Sequence, residues 1–158
     1  MASFDRFLVP FDFSDHSRAA LVLAGDLARR VGAEIQLLHI VVPIVLSVPA
    51  VGPTPVPALG VAVDLPREAE RSLVQLAAPL VESGLRVETH VVESSSIAEA
   101  IRRYAEKIGA DLIVMGTHGR TALLRVLMGS VTQRTVREAP CPVLLTSSVA
   151  PEPGPDGG

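Results

Sequence analysis

Short apolar runs alternate with segments of helical spacing along this chain, and that alternation restricts the fold more than any other feature. The first run, Phe7-Leu8-Val9, ends at Pro10-Phe11-Asp12 and reads as a buried strand followed by a polar turn. Further runs cover 35–40, 85–92 (with Val87, Thr89 and Val91 alternating), 111–115 and Val143 to Thr146. Between the first two runs, Ala20, Leu23, Ala24, Leu27, Ala28 and Val31 recur at three- and four-residue steps. They predict a helix opened by Ser14 or Asp15 and stopped by Gly32. A second helix is expected over 68–81, with Leu73, Leu76, Ala77, Leu80 and Val81 on one side; Pro79 predicts a kink or an early end, and Gly84 the stop. Ser94, Ser95 and Ser96 supply caps for a third helix over 97–108, closed by Gly109, and a fourth spans 129–138. Strands that each lead through a helix to the next predict an α/β fold. Its form is an open, doubly wound, five-stranded parallel sheet with helices on both faces.

Composition agrees with that architecture and excludes others. Apolar residues make up 48% of the chain and aromatics only 3%, a store of small branched side chains suited to a sheet buried on both faces. Few aromatics and a net charge of −3 argue against nucleic-acid binding by base stacking or a basic face. With Cys141 as the single cysteine, no intrachain disulfide forms, and a small buried apolar role is expected for it. The opening MASFDRFLVP has no basic stretch followed by an apolar run and cleavage site, so no secretory leader is expected and the default setting is cytoplasmic. Residues 41–66 carry Pro43, Pro49, Pro53, Pro55, Pro57 and Pro66, which predicts a long loop acting as a flap or arm. Residues 1–148 are expected to form one domain, and 149–158, rich in Pro and Gly, a disordered tail.

The chemistry concentrates after the fourth run. Gly116 follows Met115, Gly119 comes three residues on, Gly129 ten after that, and Ser130 opens a helix. Glycines let a ligand approach the main chain, and the N–H groups of a helix start favour anions. Arg120 and Arg125 add positive charge in the loop. A strand order of 3-2-1-4-5 puts the reversal between strands one and four, where open α/β sheets bind ligands. Asp12 then stands opposite Gly116, able to accept from a ribose hydroxyl or a base amino group. Glycines at such spacing also serve ordinary turns, so spacing alone leaves a structural reading open. No Gly-Lys-Ser/Thr is present, the single lysine being Lys107, and the dinucleotide fingerprint is missing. His16, His39, His90 and His118 are scattered without metal-ligand spacing, so no metal site is expected. His118 reads as a solvated loop residue and His39 as a structural histidine. Ser14 has no His/Asp partner at a spacing that suggests a hydrolase triad, and Asp64, Glu68 and Glu70 read as a solvated acidic face. No catalytic residue is assigned.

The run DLIVMGTHGR, then GSV, then APCPVLL, together with LVPFDFSDHS and LLHI, resembles the nucleotide-binding universal stress proteins over about residues 3–147. That family's glycine motif is Gly, two residues, Gly, nine residues, Gly and Ser or Thr; Gly116, Gly119, Gly129 and Ser130 match it without a gap. The resemblance implies an adenine nucleotide alpha-hydrolase-like fold and ATP as ligand, with or without Mg2+ or Mn2+. It implies adenine and ribose contacts at Pro10 and Asp12, main-chain contact with the base at Ile40, and ribose and phosphate contacts at Met115 and Gly116. Gly119, Gly129, Ser130 and Val131 fall at phosphate contacts, and a homodimer would form through the last strand, Val143 to Thr146. Ala122 and Ser95 stand where, or near where, Gly is common, and both lie outside the phosphate motif. The function implied is a stress-response or signalling regulator with slow hydrolysis at most. Alternatives are a member that prefers AMP or cyclic AMP, a dimeric partner-binding module with incidental nucleotide, and a true ATPase.

Overall fold

The computed structural model describes residues 4–43, 65–118 and 128–147. Its elements alternate as expected: β1 (Arg6–Pro10), α1 (Asp15–Val31), β2 (Glu34–Val41), α2 (Leu65–Glu82), β3 (Val87–Glu93), α3 (Ile97–Ile108), β4 (Leu112–Gly116), α4 (Ser130–Glu138) and β5 (Val143–Thr146). All four strand pairings are parallel, in the order β3-β2-β1-β4-β5. Gly119, Arg120, Ala122 and Arg125 lie outside the described residues, as do the tail and 44–64 of the proline-rich segment.

Two-residue periodicity splits the core between the faces of the sheet. Phe7 and Val9 of β1, with Ile35, Leu37 and Val114, pack under Ala20, Leu21, Ala24 and Ala28 of α1 and Leu73 of α2. Leu8, Leu38, Ile113 and Met115 point the other way, against Ile101, Tyr104 and Ala105 of α3 and the half-buried Val131 of α4. Helices therefore cover both faces, which is why the central strands read as continuous apolar runs. No helix among the described residues is long and apolar enough to cross a membrane.

The helices depart from expectation in instructive places. In α1 the buried face runs through Ala20, Leu21, Ala24, Gly25 and Ala28, while Val31 is exposed. Gly25 on this face is where α2 touches α1: a Cβ there would lie 3.3 Å from Leu80 Cδ2. Helix α2 starts at Leu65, earlier than predicted, because Pro66 falls in the first turn, where its missing N–H costs nothing. Nor does Pro79 end it; the helix continues to Glu82. Its last turn is closed by Ser83 Oγ donating to the Leu80 carbonyl at 2.7 Å, and by Gly84 and Leu85 N–H donating to Val81 and Leu80. Val81, expected inside, is exposed. At α3 the N-cap is Ser96, with no side-chain capping bond; Ser94 Oγ instead accepts from Ser96 N–H at 3.1 Å.

One buried polar group sits in β2 where only apolar packing was expected. Gln36 donates through Nε2 to Glu88 at 3.1 Å, so its Oε1 accepts from His90 Nε2, 2.8 Å away. The amide is satisfied, as a buried polar group must be.

Candidate functional site

Strands β1 and β4 pair at Phe7 with Leu112 and Leu8 with Ile113, and the pairing goes no further toward their carboxyl ends. Chains leaving adjacent strands in opposite directions open a crevice there, and this is the reversal point of the sheet. On its β1 side, Pro10 closes the strand next to Leu38 and Asp12 lies two residues beyond. Asp12 Oδ1 accepts from Ser14 N–H at 3.0 Å and Ser14 Oγ at 2.5 Å. Ser14 Oγ accepts in turn from Ser17 N–H, capping α1. The carboxylate is thus fixed at the mouth of α1 by a local turn.

Between Asp12 and Ser14, Phe13 has φ 65°, a left-handed conformation that a bulky side chain adopts only at a cost. Its ring holds the turn in place, edge-on to Phe11 at 5.1 Å and to His39 at 5.0 Å between centroids. His39 Nδ1 lies 2.7 Å from the Phe11 carbonyl, the structural role expected of it. Strain of this kind, of order 1–3 kcal/mol, collects where a backbone must hold one geometry. Nothing in the sequence signals it, because no glycine or asparagine marks the position.

On the β4 side, Met115 is 6% exposed and its side chain belongs to the core. Gly116 ends the strand. A Cβ there would lie 2.6 Å from His16 Cβ and 2.9 Å from the His16 carbonyl group, so the glycine is required by the close approach of α1. Thr117 N–H donates to the Thr146 carbonyl at 2.9 Å, and the Thr117 carbonyl accepts from Gly129 N–H at 2.8 Å. Thr132 Oγ1 donates to the Gly116 carbonyl at 3.1 Å. These bonds tie the start of α4 to the end of β4 although Thr117 and Gly129 are twelve positions apart in the chain. Thr117 and Thr132 carry that role without any motif signal.

Gly129 is the N-cap of α4, and no side chain caps this helix; its first turn has no acidic residue. Helix geometry gives the N–H groups of the first turn no acceptor within the helix, and the helix dipole makes that end positive. Ser130 and Val131 open the turn, Ser130 exposed and Val131 half-buried. A Cβ on Gly129 would meet its neighbours only at 3.5 Å and beyond, so the fold itself does not demand glycine there. Ile40 lies near the carboxyl end of β2, half-buried, paired with Val92 and on the α3/α4 side. The structure brings Pro10, Met115, Gly116, Gly129, Ser130 and Val131 to one end of the sheet around the β1–β4 parting, with Asp12 just beyond β1. Gly119 lies outside the described residues.

Cys141 is half-buried, and burial, with Asp111 nearby, pushes its thiol up despite an opposing hydrogen bond from the Ile113 backbone. A thiol held protonated is a poor nucleophile, which agrees with the bland role expected.

The universal stress protein family model matches residues 3–147. The chain belongs to the universal stress protein family. A universal stress protein of Methanocaldococcus jannaschii is 34% identical over 143 residues, covering 90% of this chain and 81% of the relative. The solved structure of a second universal stress protein of that organism superposes with a TM-score of 0.74 at 25% identity, covering 92% of this chain and 96% of the other. Universal stress proteins solved in complex with cAMP (20% identity, TM-score 0.65, 92% and 98% covered) and, from Archaeoglobus fulgidus, with dAMP (22%, 0.60, 92% and 98%) share the fold.

Proposed function

We infer that this universal stress protein binds an adenine nucleotide, with ATP the leading candidate, in the crevice between β1 and β4, and that occupancy sets its regulatory state. The observation that carries the reading is the start of α4. A helix whose first turn has neither a side-chain cap nor an acid is tied through Gly129 to the end of β4, at the reversal point of the sheet. Gly116, Gly119, Gly129 and Ser130 at the family spacing add to it. Relatives of this fold held cAMP and dAMP, and adenine is the part those ligands share with ATP.

In this reading phosphate oxygens accept from the main chain at Gly119, Ser130 and Val131 and pass close to Gly129, whose missing side chain leaves room while its own N–H is held by the Thr117 carbonyl. Ribose lies by Met115 and Gly116, Asp12 accepts from a ribose hydroxyl or the base amino group, and Pro10 and the Ile40 main chain flank the base. Mg2+ or Mn2+ can accompany the phosphates. Slow hydrolysis at most is expected, because no residue is assigned to position an attacking water. Residues 1–148 act as one unit, and β5, the last strand in the sheet order, supplies the edge through which two copies pair. Mass spectrometry of nucleotide released from the purified protein tests the ligand. An adenine nucleotide approaching one per chain is expected; no copurifying nucleotide, with no uptake of ATP, ADP, AMP or cAMP at millimolar concentration, contradicts the reading.

A further inference from the structure

The fold joins two histidines that lie far apart in the sequence. His16 sits in the first turn of α1 and His118 just beyond β4, and their ring centroids are 5.3 Å apart at 46° between planes. The contact exists because Gly116 has no Cβ, which lets the first turn of α1 close onto the end of β4. His118 is also held: its Nδ1 lies 3.1 Å from Thr117 Oγ1, and a Cβ on Gly129 would approach His118 Cα to 3.7 Å. The pair therefore abuts the start of α4, where the phosphates are read to lie.

We propose that His16 and His118 form a two-histidine site for a borderline divalent transition metal such as Zn2+, whose remaining coordination positions are open to water or to the phosphate oxygens of a bound nucleotide. Two imidazoles bound to one tetrahedral ion through metal–nitrogen bonds of about 2.0–2.1 Å have ring centres roughly 5 Å apart. The observed separation needs little adjustment to reach that arrangement. A hydroxyl accepting from Nδ1–H leaves the lone pair of His118 on Nε2, the tautomer that binds metal, and Thr117 is placed to act so. Among the described residues no third His, Cys, Asp or Glu joins the pair in a group that could hold a metal. Imidazole selects this ion class over Mg2+, which takes oxygen ligands. The phosphate part of the proposal rests on the nucleotide reading above; the two-histidine part does not.

The test is a Zn2+ titration of the nucleotide-free full chain, followed by calorimetry and by the histidine ring resonances. One ion per chain is expected, shifting the His16 and His118 signals and leaving those of His39 and His90 in place. His16→Ala and His118→Ala should each weaken binding by about tenfold or more. Both retain Cβ, so the packing of α1 on Gly116 survives, and far-UV dichroism verifies it. Equal Zn2+ affinity in the wild type and the double variant, or shifts confined to His39 or His90, overturns the site. ATP binding by the wild-type protein in EDTA tests the nucleotide reading separately. If ATP binds there and Zn2+ fails to tighten it, the phosphate-bridging part is wrong; if ATP does not bind at all, the nucleotide reading fails while the zinc result stands on its own.

Discussion

Gly116 and Gly129 belong to one motif and do different work. At Gly116 a methyl group would overlap the His16 backbone, so Gly116→Ala should destabilise the fold by about 1–3 kcal/mol, seen as a lower urea midpoint. At Gly129 the backbone is extended, with φ −67°, and a Cβ has room, so Gly129→Val should stay folded and lose no more than the roughly 1 kcal/mol of an N-cap substitution. Side-chain bulk at that helix start would instead obstruct an approaching phosphate. If the two variants exchange behaviour, the division of roles is wrong. Cys141 gives a second residue-level expectation. Its thiol is held above its ordinary value chiefly by burial, so the folded chain keeps the proton after the unfolded chain has lost it. The stability this contributes is complete below the ordinary thiol value and declines as pH rises through the raised one. A Cys141→Ser variant should lose less stability than the wild type on going from neutral to alkaline pH; an identical decline removes Cys141 as a cause.

Helix α1 shows how an element delivers a functional group. Ser14 caps it and also holds Asp12, so Ser14→Ala should cost about 1 kcal/mol in stability and weaken nucleotide binding together. A drop in stability with unchanged affinity would mean that Asp12 is not placed by this turn. Much of this was legible beforehand, because caps and stops are local: Ser14, Gly32 and Gly109 stand where the chain must turn, and the apolar runs give every strand. What escaped depends on partners distant in sequence. Val31 fits the periodicity of α1, yet it is the last residue of the helix and stays exposed, the helix packing on the sheet through Ala20, Leu21, Ala24 and Ala28. Pro79 reads as a breaker, but Ser83 and Gly84 close the turn around it. The left-handed Phe13 is set by Phe11 and His39, and the pairing of His16 with His118 by Gly116, none of which leaves a mark in spacing.

For the whole chain, the strand order creates the crevice. Reversal between β1 and β4 brings the Asp12 turn and the α4 start, more than a hundred residues apart, to one end of the sheet. Pairing of two copies through β5 predicts a dimer by sedimentation equilibrium, and a strictly monomeric protein at high concentration would contradict that assembly. The central claim is that the β1–β4 crevice, closed by the start of α4, holds an adenine nucleotide. Calorimetric titration of ATP into the wild type and into Gly129→Val tests it most directly. The account predicts one site per chain in the wild type and about tenfold or greater weakening in a variant that remains folded. Undiminished ATP binding by folded Gly129→Val would contradict it.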